Sequence, residues 1–142
     1  MVTAFTIAHS ITLVLSTIGV VRVGSVAVET AIAMSVALAA LNNVWPVLDA
    51  RWTVAFALGL LHGFGFSSVL LELGLPDEGR ALALAGFNVG VELGQLAIVL
   101  VLVPLTFALR RYRAFRLVGV VGVSLVIAAI ALYWSLERIG LI

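Results

Sequence analysis

The chain has 142 residues, of which 63% are hydrophobic and only 11% are charged. A soluble domain has roughly 45–50% apolar and about 25% charged residues, so this composition excludes an ordinary water-soluble globule. The net charge of +1 argues against nucleic acid as a partner, and the absence of cysteine excludes disulfides and thiolate metal sites.

Five apolar segments follow one another along the chain, separated by short polar turns. A helix needs about 20 apolar residues to cross a hydrocarbon core of about 30 Å. The alternating pattern of a barrel strand is absent. The sequence therefore predicts an all-α fold in which residues 1–142 form one integral membrane bundle of five transmembrane helices. These helices are expected at about residues 2–21, 25–45, 52–72, 81–109 and 117–136.

The distribution of arginine predicts how the bundle is oriented. One side holds the N-terminus, Arg51 and the four arginines of residues 110–116, whereas the other holds Arg22, Arg80 and Arg138. Because cytoplasmic loops are enriched in Lys and Arg, the side with five arginines is the expected cytoplasmic one. We therefore expect a multi-pass protein of the inner (cell) membrane with its N-terminus in the cytoplasm.

Each of the first and third predicted helices carries a histidine within its span. His9 shares one face of the first helix with three hydroxyl-bearing residues, Thr6, Thr12 and Ser16. His62 lies beside Gly59 and Gly63, a GxxxG pair that lets another helix approach closely. An ionisable residue within a span costs about 2.5–3.5 kcal/mol on insertion scales, so each one is a functional candidate.

The fourth predicted helix has two distinct faces. Asn88, Glu92 and Gln95 fall on one face at helical spacing. A series of glycines four residues apart lies on the other side: Gly86, Gly90 and Gly94. The glycines predict a tight packing seam, and together the two faces predict a helix in the middle of the bundle.

Counting residues from the membrane faces places three of the ionisable side chains near one depth. His9, His62 and Glu92 fall near the midplane, whereas Glu29 lies nearer the outer boundary. Two imidazoles and a carboxylate suit a divalent first-row transition metal. Asn88 could act as a weak ligand or as a hydrogen-bond partner of a ligand.

Other interpretations of the same residues remain open. His9 could hydrogen-bond a neighbouring hydroxyl, and Glu92 could be a protonated structural carboxyl. The two histidines could also be axial ligands of a b-type haem in a redox subunit, or the chain could be a structural or assembly subunit of a larger membrane complex. No HExxH or nucleophile-elbow pattern is present, so we do not expect an enzyme.

Several strings of residues occur in an order that is typical of one known family. They are FTIAHSITL (5–13), VE (28–29), LNN (41–43), GLLHGFGF (59–66), ELGLP (72–76) and FNVGVELGQL (87–96). Over about residues 4–100 the chain resembles the HupE/UreJ family of hydrogenase and urease accessory membrane proteins. Family members commonly begin with a histidine and an acid–histidine pair, and this sequence starts after that position. A truncated start and a short branch of the family are the two alternatives.

The resemblance implies a membrane protein that is linked to nickel-enzyme maturation and moves nickel or cobalt across the membrane. It carries metal-ligand roles onto His9 and His62, with Glu29, Asn88 and Glu92 as further candidates. Nickel or cobalt is the expected metal, with zinc or copper as alternatives. Besides the metal ion, the expected partners are membrane lipid and either copies of the chain or a larger membrane complex.

Overall fold

The computed structural model of the chain describes residues 2–21, 23–48, 51–72 and 79–142. Within these ranges the backbone forms helices and no β-strand. The helices are α1 (Val2–Thr17), α2 (Ser25–Val44), α3 (Arg51–Glu72), α4 (Arg80–Leu109) and α5 (Val123–Arg138), with a π-helical segment, Phe115–Gly122, that runs directly into α5. The all-α class is confirmed, and each predicted segment contains a helix. Parts of the predicted connections, Arg22 and residues 49–50 and 73–78, lie outside the described residues.

The first helix ends four residues earlier than the sequence predicts. Gly19 has a φ of 80°, a left-handed conformation that glycine adopts without a Cβ clash. The amide of Val20 donates to the carbonyl oxygen of Leu15 at 3.0 Å. The amide of Gly19 donates to the carbonyl oxygen of Ser16 at 3.0 Å. This pair of bonds is a Schellman motif, which ends the helix although the following residues are apolar.

Three described helices are long and apolar enough to cross a membrane: Ser25–Val44, Ala81–Leu109 and Phe115–Arg138. Two shorter apolar helices cover Val2–Thr17 and Trp52–Ser67. The 16 residues of α1 measure about 24 Å, which is less than a hydrocarbon core of about 30 Å. The chain is therefore a helical membrane protein, and five complete spans stay a prediction.

The chain forms two compact units, one of Met1–Val28 with Ala50–Leu96 and one of Glu29–Asp49 with Ala97–Ile142. In the first unit, α1 and α3 pack closely because two glycines of α3 lack side chains. A Cβ atom at Gly59 would overlap the carbonyl oxygen of Phe5 and lie 2.9 Å from the Cβ of Ala8. One turn later, a Cβ at Gly63 would overlap the hydroxyl of Thr12. The predicted GxxxG packing is confirmed, with α1 as the partner helix.

Two hydrogen bonds join α1 to α3 along this contact. The hydroxyl of Thr12 donates to the carbonyl oxygen of Leu60 at 2.8 Å. The hydroxyl of Ser67 donates to that of Ser16 at 2.7 Å. Because residue numbers rise together along both helices, α1 and α3 are parallel.

In the second unit, contacts at both ends of α2 join it to α5. Near the start of α2, the Nε of Arg138 lies 2.8 Å from a carboxylate oxygen of Glu29. Near its end, the side-chain amide of Asn43 donates to the hydroxyl of Ser124 at 3.4 Å. The start of α2 therefore lies beside the end of α5, and these two helices are antiparallel.

The packing seam predicted at the spaced glycines of α4 has no partner among the described residues, and the position of α4 in the middle of the bundle stays a prediction. No described atom comes within 4 Å of a Cβ built at any of its three spaced glycines, Gly86, Gly90 and Gly94. The most apolar stretch of the helix is also unburied. A small-residue series identifies a surface that suits close packing, but it does not say whether the partner lies in the same chain.

Candidate metal site

His9 is completely buried in the first unit and has no hydrogen bond. Its exposed fraction is 0%, and among the described residues neither ring nitrogen has a partner. A buried polar group without a partner costs about 1–3 kcal/mol and is uncommon in native structures. The predicted bond from His9 to a neighbouring hydroxyl is therefore not formed. This unsatisfied imidazole is the most unusual feature of the unit.

Three phenylalanine rings surround His9, and we call Phe5, Phe66 and Phe87 the phenylalanine box. Their ring centroids lie 5.9, 5.3 and 6.0 Å, respectively, from that of His9. Phe66 and Phe87 also contact each other, with centroids 5.2 Å apart. The imidazole nitrogens thus face an apolar enclosure that offers no acceptor and no donor.

His62 is half-buried, and its hydrogen bond defines which nitrogen can bind a metal. Its Nδ1 lies 2.8 Å from the carbonyl oxygen of Leu58, one turn earlier in α3. A carbonyl oxygen only accepts, so Nδ1 donates its hydrogen, and in the neutral ring the lone pair is on Nε2. Metal-binding histidines commonly have this arrangement, in which a backbone carbonyl orients the ring. His62 is also near His9, since the Phe5 ring that contacts His9 lies 5.4 Å from the imidazole of His62.

The polar face of α4 adds an amide and a carboxylate to the first unit. Asn88 donates to the carbonyl oxygen of Leu84 at 3.0 Å, which leaves its buried Oδ1 without a described partner. One turn later, Glu92 is half-buried. Gln95 accepts a hydrogen bond of 3.4 Å from the hydroxyl of Thr6 on α1. The amide face of α4 is therefore next to α1, as the periodicity of its polar residues suggested.

Glu29, the remaining predicted ligand, belongs to the second unit and is ion-paired. Its carboxylate contacts Arg138 at 2.8 Å, with 37% of the Glu29 side chain and 58% of the Arg138 side chain exposed. Arg138 therefore contacts one of the two oxygens of this carboxylate. The ion pair is a long-range contact that the sequence analysis missed, and the metal role of Glu29 stays a prediction.

The described residues contain no group of three histidine or acidic side chains close enough to hold a metal ion together. His9 and His62 share Phe5 as a neighbour, but the carboxylate of Glu92 does not complete a three-ligand group with them. Instead, phenylalanine rings occupy the space around His9. The predicted convergence of all three side chains is absent from this conformation, and their roles as ligands stay predictions.

The phenylalanine box is the part of the site that the sequence analysis missed. Phe5 and His9 are four residues apart on α1, and so are His62 and Phe66 on α3. Residues at this spacing are neighbours on a helix surface, which is a signal that could have been noticed. No local spacing indicates that Phe87 of α4 lies against His9, because that contact crosses between helices.

Comparison with known proteins gives one match. A family model described as HupE / UreJ protein matches residues 1–138 of the chain. No curated protein and no solved structure gives a significant match. The resemblance noted in the sequence is confirmed, and the match extends beyond residue 100 to the end of α5.

Proposed function

The chain belongs to the HupE/UreJ family, and on that premise we propose that it binds a divalent transition metal inside the membrane and carries it across. The family is associated with nickel and cobalt accessory functions. Nickel or cobalt is the proposed cargo, in support of the maturation of a nickel enzyme. The single observation that carries the proposal is the fully buried imidazole of His9, which has no hydrogen bond on either nitrogen.

The chemistry of the two histidines supports a metal as their ligand. Nitrogen of neutral imidazole binds nickel, cobalt, zinc and copper well. His62 already donates Nδ1–H to the carbonyl oxygen of Leu58, which orients its Nε2 lone pair. His9 has both nitrogens free of competing bonds among the described residues. A bound metal would satisfy His9 and so remove the free-energy cost of its burial.

The face of α4 that is near α1 offers the further ligands that a divalent cation needs. Asn88 has an oxygen without a described partner, and Glu92 supplies the carboxylate. A carboxylate offsets part of the metal's charge, which is costly to bury in a membrane. Glu29 is a weaker candidate because Arg138 holds its carboxylate.

The directions of the helices support five crossings of the inner membrane. If every helix crosses, helices whose numbers differ by two are parallel and those whose numbers differ by three are antiparallel. Within the first unit α1 and α3 are parallel. Within the second, α2 and α5 are antiparallel. We propose this topology with the N-terminus in the cytoplasm, where arginine-rich loops are expected.

Metal analysis of the purified protein tests the proposal. The wild type is expected to retain stoichiometric nickel or cobalt after gel filtration. His62→Ala and Glu92→Gln are expected to lose more than the roughly 10–100-fold in affinity that removal of a supporting residue costs. Glu137→Gln is the matched control for Glu92→Gln, because Glu137 is an exposed acid of α5. Negligible metal in the wild type, or equal metal in all variants, would contradict the proposal.

Transport is tested separately with the protein in liposomes that contain a metal-sensitive dye. The wild type is expected to admit nickel or cobalt, and His62→Ala is expected to admit it no faster than empty liposomes do. A wild type that binds metal in detergent but admits none would restrict the function to metal binding.

A further inference from the structure

The three walls of the phenylalanine box come from three helices: Phe5 from α1, Phe66 from α3 and Phe87 from α4. His9, which these rings contact, has an exposed fraction of 0%. A ligand that enters through the box reaches the imidazole only when at least one wall moves. The contacts of each helix indicate which wall that is.

The walls on α1 and α3 are held together. Any separation of these helices would break the bond from Thr12 to the carbonyl oxygen of Leu60 and that between Ser67 and Ser16. It would also open the contact at Gly63, where the two helices are so close that even a Cβ atom would not fit.

The contacts described between α4 and α1 are made by side chains. Leu84 and Phe87 pack against Leu13. The one polar contact between α4 and α1 within the described residues is the bond from Thr6 to Gln95, which at 3.4 Å is long. No described atom lies within 4 Å of a Cβ built at Gly86, Gly90 or Gly94 of α4. These contacts hold Phe87 against His9 less firmly than the hydrogen bonds and the close glycine contact hold the walls on α1 and α3.

We propose that Phe87 is the gate of His9 and that α4 opens it by rotating about its own axis. Asn88 lies about 100° round the helix from Phe87, and Glu92 lies about 140° round. A rotation in the matching sense withdraws the phenylalanine ring and turns the amide and the carboxylate towards the imidazole. The structure is then the closed state. In the open state, Asn88 and Glu92 lie beside the imidazole of His9.

The biological role of this gate rests on the proposed metal function, but the movement itself can be tested without metal. The test measures how fast diethylpyrocarbonate modifies each imidazole of the full chain in detergent, with chelator present and a histidine-free purification tag. The chain has only two histidines, so mass spectrometry of two peptides gives both rates. His62, which is half-buried, serves as the internal reference.

The first comparison removes the gate ring. Phe87→Ala is expected to raise the rate at His9 at least about tenfold, because it increases the population in which the imidazole is reachable. The rate at His62 is expected to change less than about twofold. Phe107→Ala is the matched control, since Phe107 is a phenylalanine of α4 that is 64% exposed. An unchanged His9 rate in Phe87→Ala, or an equal rise in Phe107→Ala, would overturn the proposal.

The second comparison tests movement of the helix rather than loss of a ring. Thr6→Cys and Gln95→Cys place two thiols in a chain that has no other cysteine. A short bifunctional methanethiosulfonate reagent joins them and ties α4 to α1. In the cross-linked protein, diethylpyrocarbonate is expected to modify His9 at least about tenfold more slowly than in the same protein after reduction. Equal rates before and after reduction would overturn the proposal, and the two single-cysteine variants treated with the same reagent are the controls.

The outcomes also separate the gate from the proposed function. If His9 responds as expected but the protein retains no nickel or cobalt, the metal function fails and the gate stands. If the protein retains metal through His62 and Glu92 but the His9 rates do not respond, the gate fails and the metal function stands.

Discussion

The two units differ in their buried polar groups: the first encloses an imidazole and an amide oxygen without described partners, and in the second the one such atom described is the hydroxyl oxygen of Thr30. His9 and the Oδ1 of Asn88 are buried with no described hydrogen-bond partner. In the second unit, Glu29 contacts Arg138, and Asn43 bonds Ser124. Unsatisfied polar groups cost free energy in an apolar medium, so they are expected where another requirement outweighs stability. The unpaired imidazole is our reason for proposing the metal site in the first unit, whereas the polar pairs of the second unit join α2 to α5.

The largest effect is expected where α1 and α3 hold the first unit together. Gly63→Ala places a methyl group on the hydroxyl of Thr12 and on the backbone of α1. The helices must separate, and we expect a loss of about 1–3 kcal/mol in the free energy of unfolding. Unfolding in mixed detergent–SDS micelles, followed by circular dichroism, measures it. Gly86→Ala is the control, because open space surrounds Gly86 among the described residues; a similar loss in both variants would contradict the packing described for α1.

A change at His9 is expected to separate stability from function. His9→Leu replaces an unpaired imidazole in an apolar box with an apolar side chain of similar length. We expect the free energy of unfolding of the metal-free protein to rise by up to about 1–3 kcal/mol, while bound nickel or cobalt is lost. If His9→Leu lowers the free energy of unfolding and keeps its metal, His9 stabilises the fold and does not bind the metal.

Loss of the cross-helix bond from Thr12 is expected to have a smaller effect. Thr12→Val keeps the shape of the side chain but removes the donor to the carbonyl oxygen of Leu60. Hydrogen bonds between membrane helices average about 0.6 kcal/mol, with a maximum of about 1.7 kcal/mol, so a loss in that range is expected. The same unfolding titration measures it, with Thr106→Val as the control, since Thr106 bonds only within its own helix. Equal losses in the two variants would show that the bond does not join the helices.

The smallest effect is expected for the ion pair of the second unit. A double-mutant cycle with Glu29→Gln and Arg138→Gln is expected to give a coupling energy of about 0.2–1 kcal/mol, because both side chains are partly exposed. Metal content is expected to stay unchanged in all three variants. A fall in metal content for Glu29→Gln alone would instead make Glu29 a ligand.

The sequence was sufficient to predict what depends on local patterns. Runs of apolar residues predicted the five helices, and the spacing of Gly59 and Gly63 predicted a close helix contact, because both signals repeat along a single helix. The end of α1 was missed although Gly19 carried the signal, since apolarity alone sets no boundary. The order of the polar residues also matched one family, which the comparison confirmed.

Contacts between helices could not be predicted in the same way. The ring of Phe87 lies against His9, and Arg138 pairs with Glu29, across 78 and 109 positions of the sequence, respectively. Counting residues along each helix predicted that His9, His62 and Glu92 lie at one depth in the membrane. It did not predict which face of each helix contacts its neighbours. Rotation about the helix axis decides whether Phe87 or Glu92 faces His9, and periodicity within one helix leaves that rotation undetermined.

X-ray absorption spectroscopy of the nickel-loaded protein tests the central claim most directly, since it detects the imidazole ligands themselves. The account predicts scattering from two imidazole rings in the wild type and from one ring in His9→Leu. A nickel site without imidazole scattering, or one that His9→Leu leaves unchanged, would contradict the claim that the unpaired histidine of the first unit is there to bind metal.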